Sequence, residues 1–108
     1  MHILIFEDNL IWSTRLLRTL KALGHEAEVA KHVPESPDTA DAAIVNLGAP
    51  ELMALVPQLR EAGMKVIGHA GHKEKDLHAL GKEVGCDVLA TNSELTFKIE
   101  AVLLKAAG

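Results

Sequence analysis

A doubly wound α/β fold, a five-stranded parallel sheet sandwiched between two helical layers, is predicted by three features of this sequence. Short apolar runs alternate with segments of helical period from end to end. The strand candidates at the centre are continuous rather than alternating, as strands buried on both faces are. Most of the connections between them suit right-handed crossovers. Hydrophobic residues make up 48% and charged residues 24% of 108 positions, an ordinary globular balance. With no repeat, linker or low-complexity tract, a single domain over residues 1–108 is expected.

Ile3-Leu4-Ile5-Phe6 is the first strand. Asp8 or Asn9 can cap the helix that follows to about Leu23, with Gly24 as its stop. Trp12, Leu16, Leu20 and Leu23 recur at spacings of four and three, which predicts one buried face. Glu26 to Lys31 reads as a more exposed second strand. His32 to Thr39 carries Pro34 and Pro37 and cannot hold a long helix. Ala42 to Leu47 is the third strand. A helix from Glu51 places Leu52, Leu55, Val56 and Leu59 on one side, and Pro57 predicts a kink or late restart. Val66 to His69 is the fourth strand. Leu77, Leu80 and Val84 keep helical spacing up to Gly85, and Val88 to Ala90 is the fifth strand. One last helix opens on Thr91-Asn92-Ser93-Glu94, whose Thr and Glu have capping-box spacing.

Composition excludes several functions. Cys86 is the lone cysteine, so no internal disulfide forms and a reducing, cytoplasmic setting is expected. The formal net charge of −4 argues against a nucleic-acid surface. No apolar run approaches the roughly 18 to 20 residues that cross a bilayer, so no membrane role is expected. MHILIFEDN lacks the basic lead and apolar length of a signal peptide. No glycine-rich phosphate loop and no nucleophile paired with a base is visible, which argues against an enzyme.

In such sheets the functional crevice lies at the carboxyl ends of the strands. Those ends carry Glu7, Asp8, Asn46, Gly48, His69, Ala70 and Thr91. Four segments here resemble the receiver domain of two-component response regulators, from His2 to about Leu104. Ile3-Leu4-Ile5-Phe6-Glu7-Asp8-Asn9 looks like the receiver's opening strand and acidic pair. Ala43-Ile44-Val45-Asn46-Leu47-Gly48-Ala49-Pro50 is similar to the strand bearing the phosphorylated aspartate. Val66-Ile67-Gly68-His69-Ala70-Gly71 resembles the fourth strand, and Gly85-Cys86-Asp87-Val88-Leu89-Ala90-Thr91 the segment that normally ends in Lys-Pro. The resemblance implies a flavodoxin-like sheet of order 2-1-3-4-5 and a helix between strands two and three. Only about ten residues with two prolines join Lys31 to Ala42, so that helix is expected to be shortened or missing.

The chemical positions depart from the family. Receivers hold Mg²⁺ with the acidic pair, the acceptor aspartate and a backbone carbonyl, and that aspartate attacks the phosphoryl donor. The acceptor position is Asn46, whose amide is a poor nucleophile. Deamidation could restore an aspartate, though the bulky Leu47 slows it. The switch hydroxyl is replaced by Ala70, and the lysine and proline by Thr91 and Asn92. Glu7, Asp8 and the carbonyl of Gly48 remain, so any cation site is a weak Mg²⁺ site at Glu7 and Asp8. The expectation is a degenerate receiver, or pseudo-receiver.

Each feature also has a plainer reading. Glu7 and Asp8 can simply cap the first helix in solvent. His69, His72 and His78 fit no zinc spacing and read as exposed or helix-capping histidines, with His72 the one to test near the acids. Asn46 is either a decayed site or a hydrogen-bonding residue that holds one set conformation. Thr91 serves best as an N-cap, and Cys86 as a packed thiol.

In the last helix Leu95, Ile99, Val102 and Leu103 face the sheet, while Phe97, Ala101 and Leu104 form a second apolar stripe. The resemblance implies that the fourth helix, fifth strand and fifth helix mediate dimers or partner docking. The function expected is phosphorylation-independent protein interaction or dimerisation in signalling. The rival is a metal- or small-ligand-sensing domain using Glu7, Asp8, Asn46 and His72.

Overall fold

Bounded by acids and turn residues, the apolar runs have room for strands but not for helices, and they assemble in the predicted topology. The computed structural model describes residues 1–108. Strands β1 (His2–Phe6), β2 (Glu26–Val29), β3 (Ala42–Asn46), β4 (Lys65–Ala70) and β5 (Val88–Thr91) form one sheet ordered β2-β1-β3-β4-β5. Every neighbouring pair is parallel. Helices α1 (Leu10–Ala22), α2 (Leu52–Glu61), α3 (Lys75–Val84), α4 (Asn92–Phe97) and α5 (Ile99–Ala107) cover its two faces. No helix is long and apolar enough to cross a membrane.

Alternation along each strand sorts the core into two layers. Ile3, Ile5, Ala42, Ile44 and Ile67 meet Leu16 and Leu20 of α1 and Leu95, Ile99, Val102 and Leu103 of α4 and α5. Leu4, Phe6, Ala43, Val45 and Val66 meet Leu52, Leu55, Val56 and Leu59 of α2. Each fully buried Leu or Ile contributes about 1.5–3 kcal/mol. Leu47, directly after β3, is wedged where a Cβ on either Gly68 or Gly81 would lie 2.6 or 2.7 Å from its Cδ2. Two glycines, one in β4 and one in α3, thus make the slot that holds the chain just past Asn46.

One open alternative is settled and three local expectations change. Asn9, not Asp8, caps α1, its side-chain oxygen accepting from the N–H groups of Ile11 and Trp12. Leu23 is exposed, because α1 has ended and the chain is turning toward Gly24. α2 runs unbroken through Pro57. Pro57 and Met53, whose carbonyl loses its partner, are both exposed, so water can satisfy that carbonyl.

The single last helix is two, divided at Lys98 (φ −136°, ψ 33°). The Thr96 hydroxyl donates to the carbonyl of Asn92 at 2.9 Å, a back-bond that bends helices, and Thr96 and Phe97 have weak helix propensity. Between β2 and β3 there is no helix, as the prolines require.

Candidate functional site

The register of the central strands aligns Glu7, Asn46 and His69. Phe6 pairs with Val45 and Asn46 with His69, so the three residues sit side by side at the carboxyl ends of β1, β3 and β4. They continue the alternation of Ile5, Ile44 and Ile67 and therefore face the α1 layer. Glu7 and His69 flank the central Asn46 and reach each other across it.

Their side chains form a buried polar chain. Asn46 Nδ2 donates to Glu7 Oε1 at 3.1 Å and lies 3.4 Å from Oε2. The backbone N–H of Asn9 donates to Glu7 Oε2 at 3.2 Å. Asn46 Oδ1 accepts from the N–H of Gly48 at 2.8 Å, so both ends of the amide are engaged. His69 Nε2 lies 3.3 Å from Glu7 Oε1, within ion-pair range but off the angle of a hydrogen bond.

On its other side His69 Nδ1 meets Asn92 Oδ1 at 2.8 Å. An amide oxygen only accepts, so Nδ1 carries the hydrogen there. Trp12 covers the imidazole with ring centroids 5.8 Å apart, and Arg15 lies over the indole at 5.6 Å. His69 is 2% exposed and Glu7 8%. These two residues depart from the plain sequence readings of solvent-exposed acids and histidines. The period-two pattern Ile5/Glu7, Ile44/Asn46, Ile67/His69 was the signal that could have found the row.

Beside this chain opens a cleft of 430 Å³, lined by Glu7, Asp8, Asn9, Lys31, Asn46 and Glu51 among others. Of the acidic pair only Asp8 is exposed. The donor set fits a divalent cation poorly. The Glu7 carboxylate already accepts from Asn46 and Asn9, and Asn46 presents its NH₂ to it rather than an oxygen. No group of three His, Cys, Asp or Glu side chains is assembled for a metal. His72 is exposed and does not line the cleft; His78 bonds the carbonyl of Gly71 at 3.1 Å.

No protein-family model matches the chain, and no curated protein matches it in sequence. Solved structures do. A response regulator from Thermotoga maritima superposes with a TM-score of 0.77 over 99% of this chain and 98% of its own, at 18% identity. A response regulator receiver protein from Burkholderia phymatum gives 0.75 over 98% and 94%, at 14% identity. The chemotaxis response regulator CheY4 of Vibrio cholerae gives 0.68 over 94% and 97%, at 15% identity. The fold is the receiver fold.

Within the receiver fold, Ala70 ends β4 buried on the α2 side of the sheet, paired in register with Thr91 at the end of β5. Thr91 caps α4: its hydroxyl accepts from the N–H of Glu94 at 3.1 Å, and Glu94 Oε1 accepts from the N–H of Thr91 at 3.0 Å. The Thr91 N–H above all, and its hydroxyl with Lys105 and Lys98, hold the Glu94 carboxyl below its usual range. Burial, with Asp87, pushes the Cys86 thiol up to about 11 against the pull of Arg60. Phe97 and Leu104 are 81% and 72% exposed, and Ala101 is exposed between them.

Proposed function

We propose that residues 1–108 act as one degenerate, non-phosphorylatable receiver-like unit that signals by protein contact rather than by phosphoryl chemistry, in a cytoplasmic setting and without enzymatic activity. The observation that carries this reading is Asn46. It stands at the end of the central strand with its amide tied to Glu7 and to Gly48, so the acceptor position offers neither a carboxylate nucleophile nor a free oxygen. Ala70 supplies no hydroxyl and Thr91 is occupied as a helix cap.

The contact surface in this reading is the face of α3, β5 and the α4–α5 pair, the counterpart of the receiver's fourth helix, fifth strand and fifth helix. Phe97, Ala101 and Leu104 are its apolar centre. Two large exposed side chains, Phe97 at the end of α4 and Leu104 on α5, favour a partner or a second copy of the chain. Neither a nucleic acid nor a membrane is proposed as a partner.

Sedimentation equilibrium of the wild type against a Phe97→Ser/Leu104→Ser variant tests the self-association branch. The expected result is a wild-type dimer that the variant loses with its thermal midpoint unchanged. A concentration-independent wild-type monomer would remove dimerisation and leave a heterologous partner as the only form of the proposal. The sensing rival has the cleft beside Asp8 in its favour and the poor donor set at Glu7 and Asn46 against it.

A further inference from the structure

The β2–β3 connection leaves a groove that continues from the cleft beside Glu7 and Asn46 toward the flank of α2. The cleft at Glu7 and Asp8 and a second cleft of 330 Å³ share Lys31 and Glu51 in their walls. The second is walled by Val33, Ala54, Leu55 and Gln58, between the helix-free segment after β2 and the flank of α2. Together they run from an acidic end at Asp8 to an apolar end at Val33 and Leu55. Each has the volume of a ligand-sized pocket.

Three charged side chains of this groove, those of Asp8, Lys31 and Glu51, have no ion-pair partner within the chain. The four ion pairs of the protein involve none of Asp8, Lys31 and Glu51, and all three side chains are exposed. Two exposed carboxylates, of Asp8 and Glu51, face one exposed ammonium, of Lys31, with the buried, hydrogen-bonded carboxylate of Glu7 behind them, so the groove is net negative. An anionic occupant is disfavoured there, and a purely apolar one would leave the acidic end unmatched.

We propose that this groove binds an extended segment of a partner protein that carries an arginine or lysine about two residues from an apolar side chain. The basic group sits between Asp8 and Glu51, the apolar side chain lies against Val33 and Leu55, and Lys31 meets a carbonyl of the segment between them. Charge complementarity selects the basic residue, and the apolar end of the lining selects the second side chain. The proposal shares with the one above only the premise that the chain works through contacts, because it uses the opposite flank of the sheet from Phe97.

The test is a titration of isotope-labelled chain with the blocked pentapeptide Gly-Arg-Gly-Leu-Gly, read by amide chemical shifts. Versions with Glu for Arg and with Ser for Leu serve as controls. Saturable shifts are expected at Asp8, Lys31, Val33, Glu51 and Leu55, in the millimolar range for so short a probe and absent with the acidic version. Glu51→Lys, an exposed change, should weaken binding about fivefold or more, while Phe97→Ser should leave it unchanged. Shifts that fail to saturate, that are equal for the acidic peptide, or that map to α4 and α5 would overturn the groove. None of these results bears on self-association, which sedimentation reads separately.

Discussion

Asn46 Nδ2 and Glu7 Oε1 are 3.1 Å apart, and this hydrogen bond joins the end of β3 to the end of β1 at the position where a receiver keeps two carboxylates. Replacing the amide by a carboxylate removes the donor and sets two like charges at that distance in a site where Glu7 is largely buried. Asn46→Asp is therefore expected to lower stability by about 1–3 kcal/mol at neutral pH, as for an unmatched buried polar group. The deficit should shrink as pH falls through the carboxylate range and one acid takes up a proton. The same variant should gain a Mg²⁺-dependent rise in thermal midpoint that the wild type lacks. Urea unfolding across pH checks the first two, and thermal melts with and without Mg²⁺ check the third.

His69 contributes to the same cluster from the opposite side. His69→Ala removes a buried ring that contacts Glu7, Asn92 and Trp12. A loss of about 2–4 kcal/mol is expected from the cavity and from the partner groups left behind. The emission of Trp12, the only tryptophan, should change in the folded variant because the imidazole beside it is gone. A variant as stable as wild type with identical emission would contradict the described geometry.

The sheet was legible because its signals are local and redundant: Ile3 to Phe6, Ala42 to Asn46 and Val66 to His69 are buried runs whatever their neighbours do. The capping box at Thr91 and Glu94 was legible for the same reason, since it lies within four residues. The burial of His69 was not, because it depends on the register between β3 and β4 and on α1 and α4 closing over it. The break at Lys98 was hidden by the four-residue spacing of Leu95 and Ile99, which suits a continuous helix, while the back-bond of Thr96 bends it.

Cys86 should be slow to react. With its thiol at about 11 rather than the ordinary 9.0, the thiolate population near pH 8 is about a hundredfold smaller than in the unfolded chain. The higher-pKa thiolate is intrinsically more nucleophilic, so alkylation by iodoacetamide should be slower in the folded protein by about tenfold or more. The linkage has a definite sign: the folded thiol keeps its proton where the unfolded one has lost it. This group's contribution to stability is therefore whole below pH 9 and falls as pH rises from 9.0 toward 11.

The cap on α4 predicts the opposite dependence. Glu94 is held below its ordinary 4.5, chiefly by the Thr91 N–H, so its contribution is present above that value and is lost as pH falls through the lower, folded one. Thr91→Ala should cost about 1 kcal/mol. Glu94→Gln should flatten the acid limb of the stability profile without altering the neutral-to-alkaline part. Thermal melts from acid to neutral pH distinguish the two variants.

The central claim, that the Asn46 pocket is closed to phosphoryl chemistry, is tested most directly by intact-mass measurement after incubation with acetyl phosphate and Mg²⁺. The account predicts an unchanged mass for the wild type, and a flat Trp12 emission when Mg²⁺ is titrated alone. A stoichiometric gain of one phosphoryl group, on Asp8 or any other residue, would contradict it.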